Sequence, residues 1–161
     1  AILSDVHILE SSDEEFERVL LVDVGGYFRT MREVHPYMKA SGGGRIVNFT
    51  STVAFSGSIF CGPGYVAAKG GIVSLSKYCA TMWARDNIRV NVVCPGRTLT
   101  PIITLPDGSV KGGDENARVP LGRIAYPIDQ ANAVMFLVSH ESDYITGTTL
   151  HVNGGKYMFG T

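Results

Sequence analysis

Apolar residues recur at Phe16, Leu20, Tyr27, Met31, Val34 and Met38, the three- and four-residue spacing of a helix with one face on a core. Ser12-x-x-Glu15 ahead of that stripe reads as a capping box, so a helix is expected from Ser12 to Ala40. Asp23 interrupts the stripe by placing a carboxylate on the apolar face. Pro36 is expected to kink or end the helix near its C-terminus, because proline lacks an N–H and crowds the preceding turn. "SGGG", 41–44, reads as a loop. The period then changes. "RIVNFT" (45–50), "NIRVNVVC" (87–94) and "TTLHV" (148–152) are short β-rich runs, and each reads as a strand, the first of them buried. Residues 51–64 read as a Gly/Ser-rich loop, and a helix is expected from about Tyr65 to Arg85. Residues 97–126 are rich in Gly and Pro and read as a long functional loop with short helices. Pro127 suits the first turn of a helix running to about Ser139. Strands alternating with helices predict an α/β chain with a parallel sheet and helices on its faces.

Composition narrows the function classes. The chain has 161 residues, 45% apolar and 18% charged, with a formal net charge of −1. That length suits one domain. The absence of any charge block argues against nucleic acid or an anionic membrane as the main partner. No uninterrupted apolar run is long enough to cross a bilayer, and nothing at the start resembles a signal peptide. Cys61, Cys79 and Cys94 are odd in number and lack CxxC spacing. A disulfide framework or zinc site is not expected, and a reducing cytoplasm fits best. His7, His35, His140 and His151 show no metal-ligand or triad spacing.

"YVAAKGG", 65–71, carries the chemistry. Tyr65 and Lys69 fall four residues apart, one turn apart on one helix face. An ammonium there is expected to favour the phenolate and lower the tyrosine pKa towards neutrality, making a phenol into a general acid or base. An amphipathic helix with an exposed lysine would show the same two letters, so the surroundings decide. "NFTST" places hydroxyls just past the end of one strand, and "CPGRTLTP" follows directly on another. Ligands of open α/β sheets bind beyond the carboxyl ends of the strands.

With these segments in order, the chain resembles the short-chain dehydrogenases/reductases. "FERVLLVDVGGYF" is similar to that family's central-helix motif and "GRIVNFTS" to its serine-bearing strand. "YVAAKGG" matches its Y-x-x-x-K signature, "IRVNVVCPGRTLTP" its R-V-N…P-G…T segment, and "PLGRIAYPIDQANAVMFLVSHESDYITGTTLHVNGG" its C-terminal block. The resemblance implies a Rossmann-like fold and an NAD(P)-dependent enzyme interconverting a secondary alcohol and a ketone. Tyr65 would move the proton. Lys69 would lower the tyrosine pKa and hold the nicotinamide ribose, and a serine would orient the substrate oxygen. Pro95, Gly96, Thr98 and Thr100 would meet the nicotinamide carboxamide. The resemblance also implies a homodimer or homotetramer, with Val19, Phe28, Met82 and Trp83 as candidate contacts. It leaves the substrate open. The loop from Leu99 to Arg118 should set it, and Ile102, Ile103, Leu105 and Pro106 there suggest a partly apolar pocket.

Three departures qualify the resemblance. Counting back from Tyr65 by the family's usual spacing reaches Thr52, whereas aligning the strand reaches Ser51. Ser51 is preferred because strand register is rigid while the following loop absorbs an extra residue. A persisting strand would also turn Thr52 to the other face. The family's central-helix asparagine, which supports a water-mediated relay to the lysine, is replaced by Asp23. It would either pair with Lys69 through water or impair the relay; a plain structural role at a bend near Gly25-Gly26 is the alternative. Finally, neither the glycine-rich T-G-x-x-x-G-x-G loop nor N-N-A-G occurs in these residues. The expectation is a catalytic half without its dinucleotide half, the choice of NAD or NADP undetermined, and no activity in the 161 residues alone. An epimerase or dehydratase using the same Tyr-Lys pair, and a non-catalytic binding protein on the same fold, are the rival readings.

Overall fold

In the computed structural model, residues 1–3, 6–101, 103–107, 109–110 and 116–158 are described. Helix α1 spans Asp13–Ala40, and the Ser12 hydroxyl accepts from the Glu15 N–H at 3.2 Å, as the capping pattern requires. Pro36 does not end it. The helix continues to Ala40, because a proline this close to the C-terminus leaves few later hydrogen bonds to lose. Gly25-Gly26 makes no break either, so the bend that Asp23 was to cap is not present.

Three strands follow in sequence and lie in the same order, all parallel: β1 (Gly44–Phe49), β2 (Ile88–Pro95) and β3 (Thr149–Val152). The register runs Gly44 opposite Ile88 and Val92 opposite Thr149. β2 is central and almost wholly buried, whereas β1 is half-buried, since only one of its edges is paired among the described residues. That corrects the expectation of a buried "RIVNFT".

α2 is a single turn, Val53–Ser56, inside the expected loop. α3 spans Pro63–Trp83. It starts two residues before Tyr65 because Pro63, with its fixed φ and missing N–H, suits the first helical position. α4 spans Pro127–Val138 with Pro127 in that same role. Helices cover both faces. Met31 of α1, Cys79 and Ala80 of α3, and Ile88 and Val90 of β2 form one core. On the other face the Arg45 side chain reaches Asp143, and Asn91 Nδ2 donates to the Ile145 carbonyl at 2.9 Å, both just beyond α4. Between β2 and α4 the chain has little regular structure: a 3-10 turn at Asn116–Arg118 and isolated bridges from Thr98 to Ala125 and Thr104 to Val110. No helix among the described residues is long and apolar enough to cross a membrane.

α1 and α3 meet closely. A Cβ on Gly64 would lie 3.0 Å from Val19 Cβ, so glycine there lets the helices approach just before Tyr65. Val19 is accordingly 1% exposed and belongs to the core, not to a subunit contact. Phe28 and Met82 are exposed, and Trp83 packs against the core and lies 4.7 Å from the His35 ring.

Candidate active site

Because the strands are parallel, their carboxyl ends share one edge, and the segments after β1, β2 and β3 collect there. The Thr50 hydroxyl donates to the Lys69 carbonyl at 2.6 Å, which fixes α3 across the end of β1. Asn48 Nδ2 donates to Ser76 Oγ at 2.8 Å and ties the same helix down two residues earlier.

These ties bring Ser51, Tyr65 and Lys69 together. The Ser51 hydroxyl lies close enough to the Tyr65 phenol to oppose the rise of its pKa. Lys69 Nζ lies 5.3 Å from the Tyr65 ring centroid, and no described residue accepts a hydrogen bond from it. Thr52 instead is 8% exposed, where its backbone opens α2. The strand stops at Phe49, so alternation along a persisting strand does not explain why Ser51 faces the tyrosine; the turn into α2 does.

The electrostatics run opposite to the expectation from Lys69. Burial pushes the Tyr65 phenol up to about 12; Cys61, Asp23 and Tyr27 add to the rise and the Ser51 hydroxyl opposes it. Burial pushes Lys69 down, and Asp23 offsets part of that. Desolvation is the largest cause, so the phenol holds its proton through the neutral range.

Asp23 lies on α1 across a groove from Lys69. The groove, about 440 Å³, runs between α1 and β1, and Tyr27, Met31, Ile46 and Asn48 also line it. Asp23 is 3% exposed and its Oδ1 accepts from the Ile2 N–H at 2.8 Å. The Tyr27 hydroxyl donates to the Phe49 carbonyl at 3.2 Å.

Pro95 ends β2 at the same sheet edge, and the Gly96 N–H donates to the Val152 carbonyl at 2.9 Å. A Cβ on Gly96 would lie 2.8 Å from Asn153 Cα, so only glycine fits against the turn after β3. The Thr98 hydroxyl donates to the Gly96 carbonyl and accepts from Gln130 Nε2, while the Thr100 hydroxyl donates to the Thr98 carbonyl. Both threonines therefore brace the loop. An apolar hollow of about 480 Å³ lies along it, lined by Leu99, Thr100, Pro101, Thr104, Leu105 and Pro106. Ile103 is half-buried nearby, and Ile102 lies outside the described residues.

One contributor escaped the sequence reading. Tyr27 was counted as an apolar stripe position, although its four-residue spacing from Asp23 was a usable signal. Cys94 is fully buried, and burial pushes its thiol up to about 12. Among the described residues no group of His, Cys, Asp and Glu is arranged to hold a metal.

Residues 1–156 match the family model described as enoyl-(acyl carrier protein) reductase. The chain is 40% identical over 157 residues to acetoacetyl-CoA reductase of an Acinetobacter species, covering 98% of this chain and 62% of that protein. It is 35% identical over 158 residues to a 3-oxoacyl-[acyl-carrier-protein] reductase of Thermotoga maritima, covering 96% and 62%. A solved 3-oxoacyl-[acyl-carrier protein] reductase of Brucella melitensis with bound NAD superposes with a TM-score of 0.86 at 32% identity, covering 96% of this chain and 56% of that one. The chain thus spans 62% of the length of both curated relatives.

Proposed function

The chain belongs to the short-chain dehydrogenase/reductase family, and on that premise we propose that it is the catalytic part of an NAD(P)-dependent oxidoreductase interconverting a secondary alcohol and a ketone. The observation that carries this reading is the buried Lys69 ammonium 5.3 Å from the Tyr65 ring, one helical turn away, with Ser51 beside the phenol. Tyr65 holds a proton at neutral pH and gives it to the substrate oxygen during reduction. Ser51 shares that oxygen and orients it. A donor with a pKa well above neutrality suits the oxyanion that forms on a reduced carbonyl.

The residues present fit the nicotinamide end of a dinucleotide. Lys69 has a buried ammonium with no described acceptor, suited to ribose hydroxyls beside Tyr65. Pro95, Gly96, Thr98 and Thr100 form a braced turn at the same sheet edge and would meet the carboxamide there. When bound, the nicotinamide supplies or takes the hydride. The segment that would hold the pyrophosphate, and decide between NAD and NADP, has no counterpart in these residues by the same reading. Activity is therefore assigned to a polypeptide that includes such a segment. The exposed Phe28 and Met82 support a homodimer or homotetramer.

The relatives named above reduce 3-oxoacyl thioesters, and the apolar hollow along Leu99–Pro106 supports the same substrate class here. The test is nicotinamide absorbance with NADH and NADPH, using acetoacetyl-CoA and a panel of simple ketones. Turnover with the thioester is expected. No oxidation of either cofactor with any ketone would remove the proposal.

A further inference from the structure

Gln130, near the start of α4, is 7% exposed and has its amide against the turn that follows β2. Its Nε2 donates to two acceptors at once, Thr98 Oγ1 at 3.2 Å and the Val152 carbonyl at 3.1 Å. A carbonyl can only accept, so Val152 decides which end of the amide faces it. Thr98 Oγ1 therefore accepts from Gln130 and sends its own proton to the Gly96 carbonyl at 3.1 Å. One buried nitrogen thus joins the turn after β2 to the end of β3.

Stability does not require this amide. Without it the Thr98 hydroxyl keeps the Gly96 carbonyl, and the Val152 carbonyl keeps the Gly96 N–H at 2.9 Å. Gln130 Oε1 is buried with no hydrogen-bond partner among the described residues, and a desolvated, unpaired acceptor counts against the folded state. An apolar side chain of the same shape would avoid that cost. The platform under Gln130 is firm. Arg123 forks onto the neighbouring Asp129 at 2.7 and 2.8 Å, and Asp129 Oδ2 also accepts from the Tyr126 N–H at 2.7 Å. Just before α4, the Ala125 N–H donates to the Arg97 carbonyl at 3.0 Å and the Ala125 carbonyl accepts from the Leu99 N–H at 2.8 Å. Backbone bonds therefore anchor the turn at Gly96, Arg97 and Leu99, and Gln130 adds a side-chain hold on Thr98 between them.

We propose that Gln130 is a positioning residue of the reaction, fixing through Thr98 the turn at which the nicotinamide carboxamide would sit. The assignment rests on the oxidoreductase reading given above. Gln130 itself touches neither substrate nor cofactor in this role. A hydride donor must be held close to its attack geometry, and a small displacement of its support is enough to slow transfer. The unpaired Oε1 is then the stability given up for a donor that reaches Thr98 and Val152 together.

The experiment compares wild type, Gln130→Met and Thr98→Val by amide hydrogen exchange, thermal unfolding and steady-state kinetics with NADH, NADPH and acetoacetyl-CoA, in the polypeptide carrying these residues. Gln130→Met keeps the shape and drops the donor. Thr98→Val removes the same bond from its other end, so one variant suffices if the other does not fold. Exchange at Thr98 and Leu99 should quicken about ten-fold, the worth of one net hydrogen bond, while the Tm of Gln130→Met does not fall. The cofactor KM should rise by about the same factor, with the acetoacetyl-CoA KM within about two-fold of wild type. In the double variant the two effects should not add, because they remove one interaction. A lower Tm in Gln130→Met, unchanged exchange, or a wild-type cofactor KM overturns the proposal, and so does failure of both variants to fold. Exchange and unfolding need no cofactor. Absence of turnover in the wild type would remove the oxidoreductase reading and the positioning role with it, whereas failure in an active enzyme would remove the positioning role alone.

Discussion

Lys69 sits one helical turn from Tyr65 with its ammonium 5.3 Å from the centre of the phenol ring, yet the phenol is shifted up, not down. An ammonium against a ring face gains a modest cation–π attraction, and the phenolate it could favour is opposed by burial and by the Asp23 carboxylate. The pair therefore works as a protonated acid beside a cation, and the predictions follow from that state.

The shift makes stability depend on alkaline pH in a defined window. An unfolded tyrosine releases its proton near 10, and Tyr65 in the fold near 12. Across that window the folded state binds the proton that the unfolded chain has lost. The contribution is fully present below 10 and is lost as pH rises towards 12. Lys69 has the opposite sign, since its lowered pKa gives a contribution present above the unfolded value and lost as pH falls through the folded one. Comparing wild type with Tyr65→Phe in the same Lys69 background isolates the tyrosine. Urea midpoints at about pH 8 and about pH 11 should fall more in the wild type than in the variant; parallel falls would contradict the shift.

Ser51 and Thr52 should separate cleanly. Ser51→Ala removes the hydroxyl beside the tyrosine and should cut kcat by about 10²-fold or more, in the range of positioned catalytic groups. Thr52→Val, at a buried position away from the phenol, should leave kcat within a few-fold of wild type and act mainly on stability. The reverse order of effects would hand the role to Thr52.

Gly96 should tolerate no side chain. Alanine there would drive a Cβ to 2.8 Å from the Asn153 backbone, and overpacking of this kind costs about 1–3 kcal/mol. Thermal unfolding should register the loss. Gly70→Ala, in α3 with nothing within 4 Å of the new Cβ, should instead gain about 0.5–1 kcal/mol from helix propensity. A neutral Gly96→Ala would mean that the turns after β2 and β3 are not locked together.

The sequence carried the periodic features well, for physical reasons. β2 is legible because it is buried and rich in β-branched residues, Ile88, Val90, Val92 and Val93. Tyr65 and Lys69 are legible because four residues is a fixed rotation on any helix. Positions set by tertiary contact were harder. Val19 looked available for a partner because the stripe alone does not show how closely α3 approaches at Gly64. Ser51 was chosen by a strand argument that fails at Phe49, since nothing local announced the single turn of α2. The direction of the Tyr65 shift could not be read at all, because it depends on burial against residues distant in sequence.

The most direct measurement is single-turnover nicotinamide oxidation in the polypeptide carrying these residues, wild type against Tyr65→Phe, with acetoacetyl-CoA as the ketone. Removing the proton donor should slow the chemical step by about 10²–10⁴-fold while the folded state, checked by circular dichroism, is kept. A Tyr65→Phe protein that oxidises the cofactor at near the wild-type rate would contradict the assignment of Tyr65 as the acid.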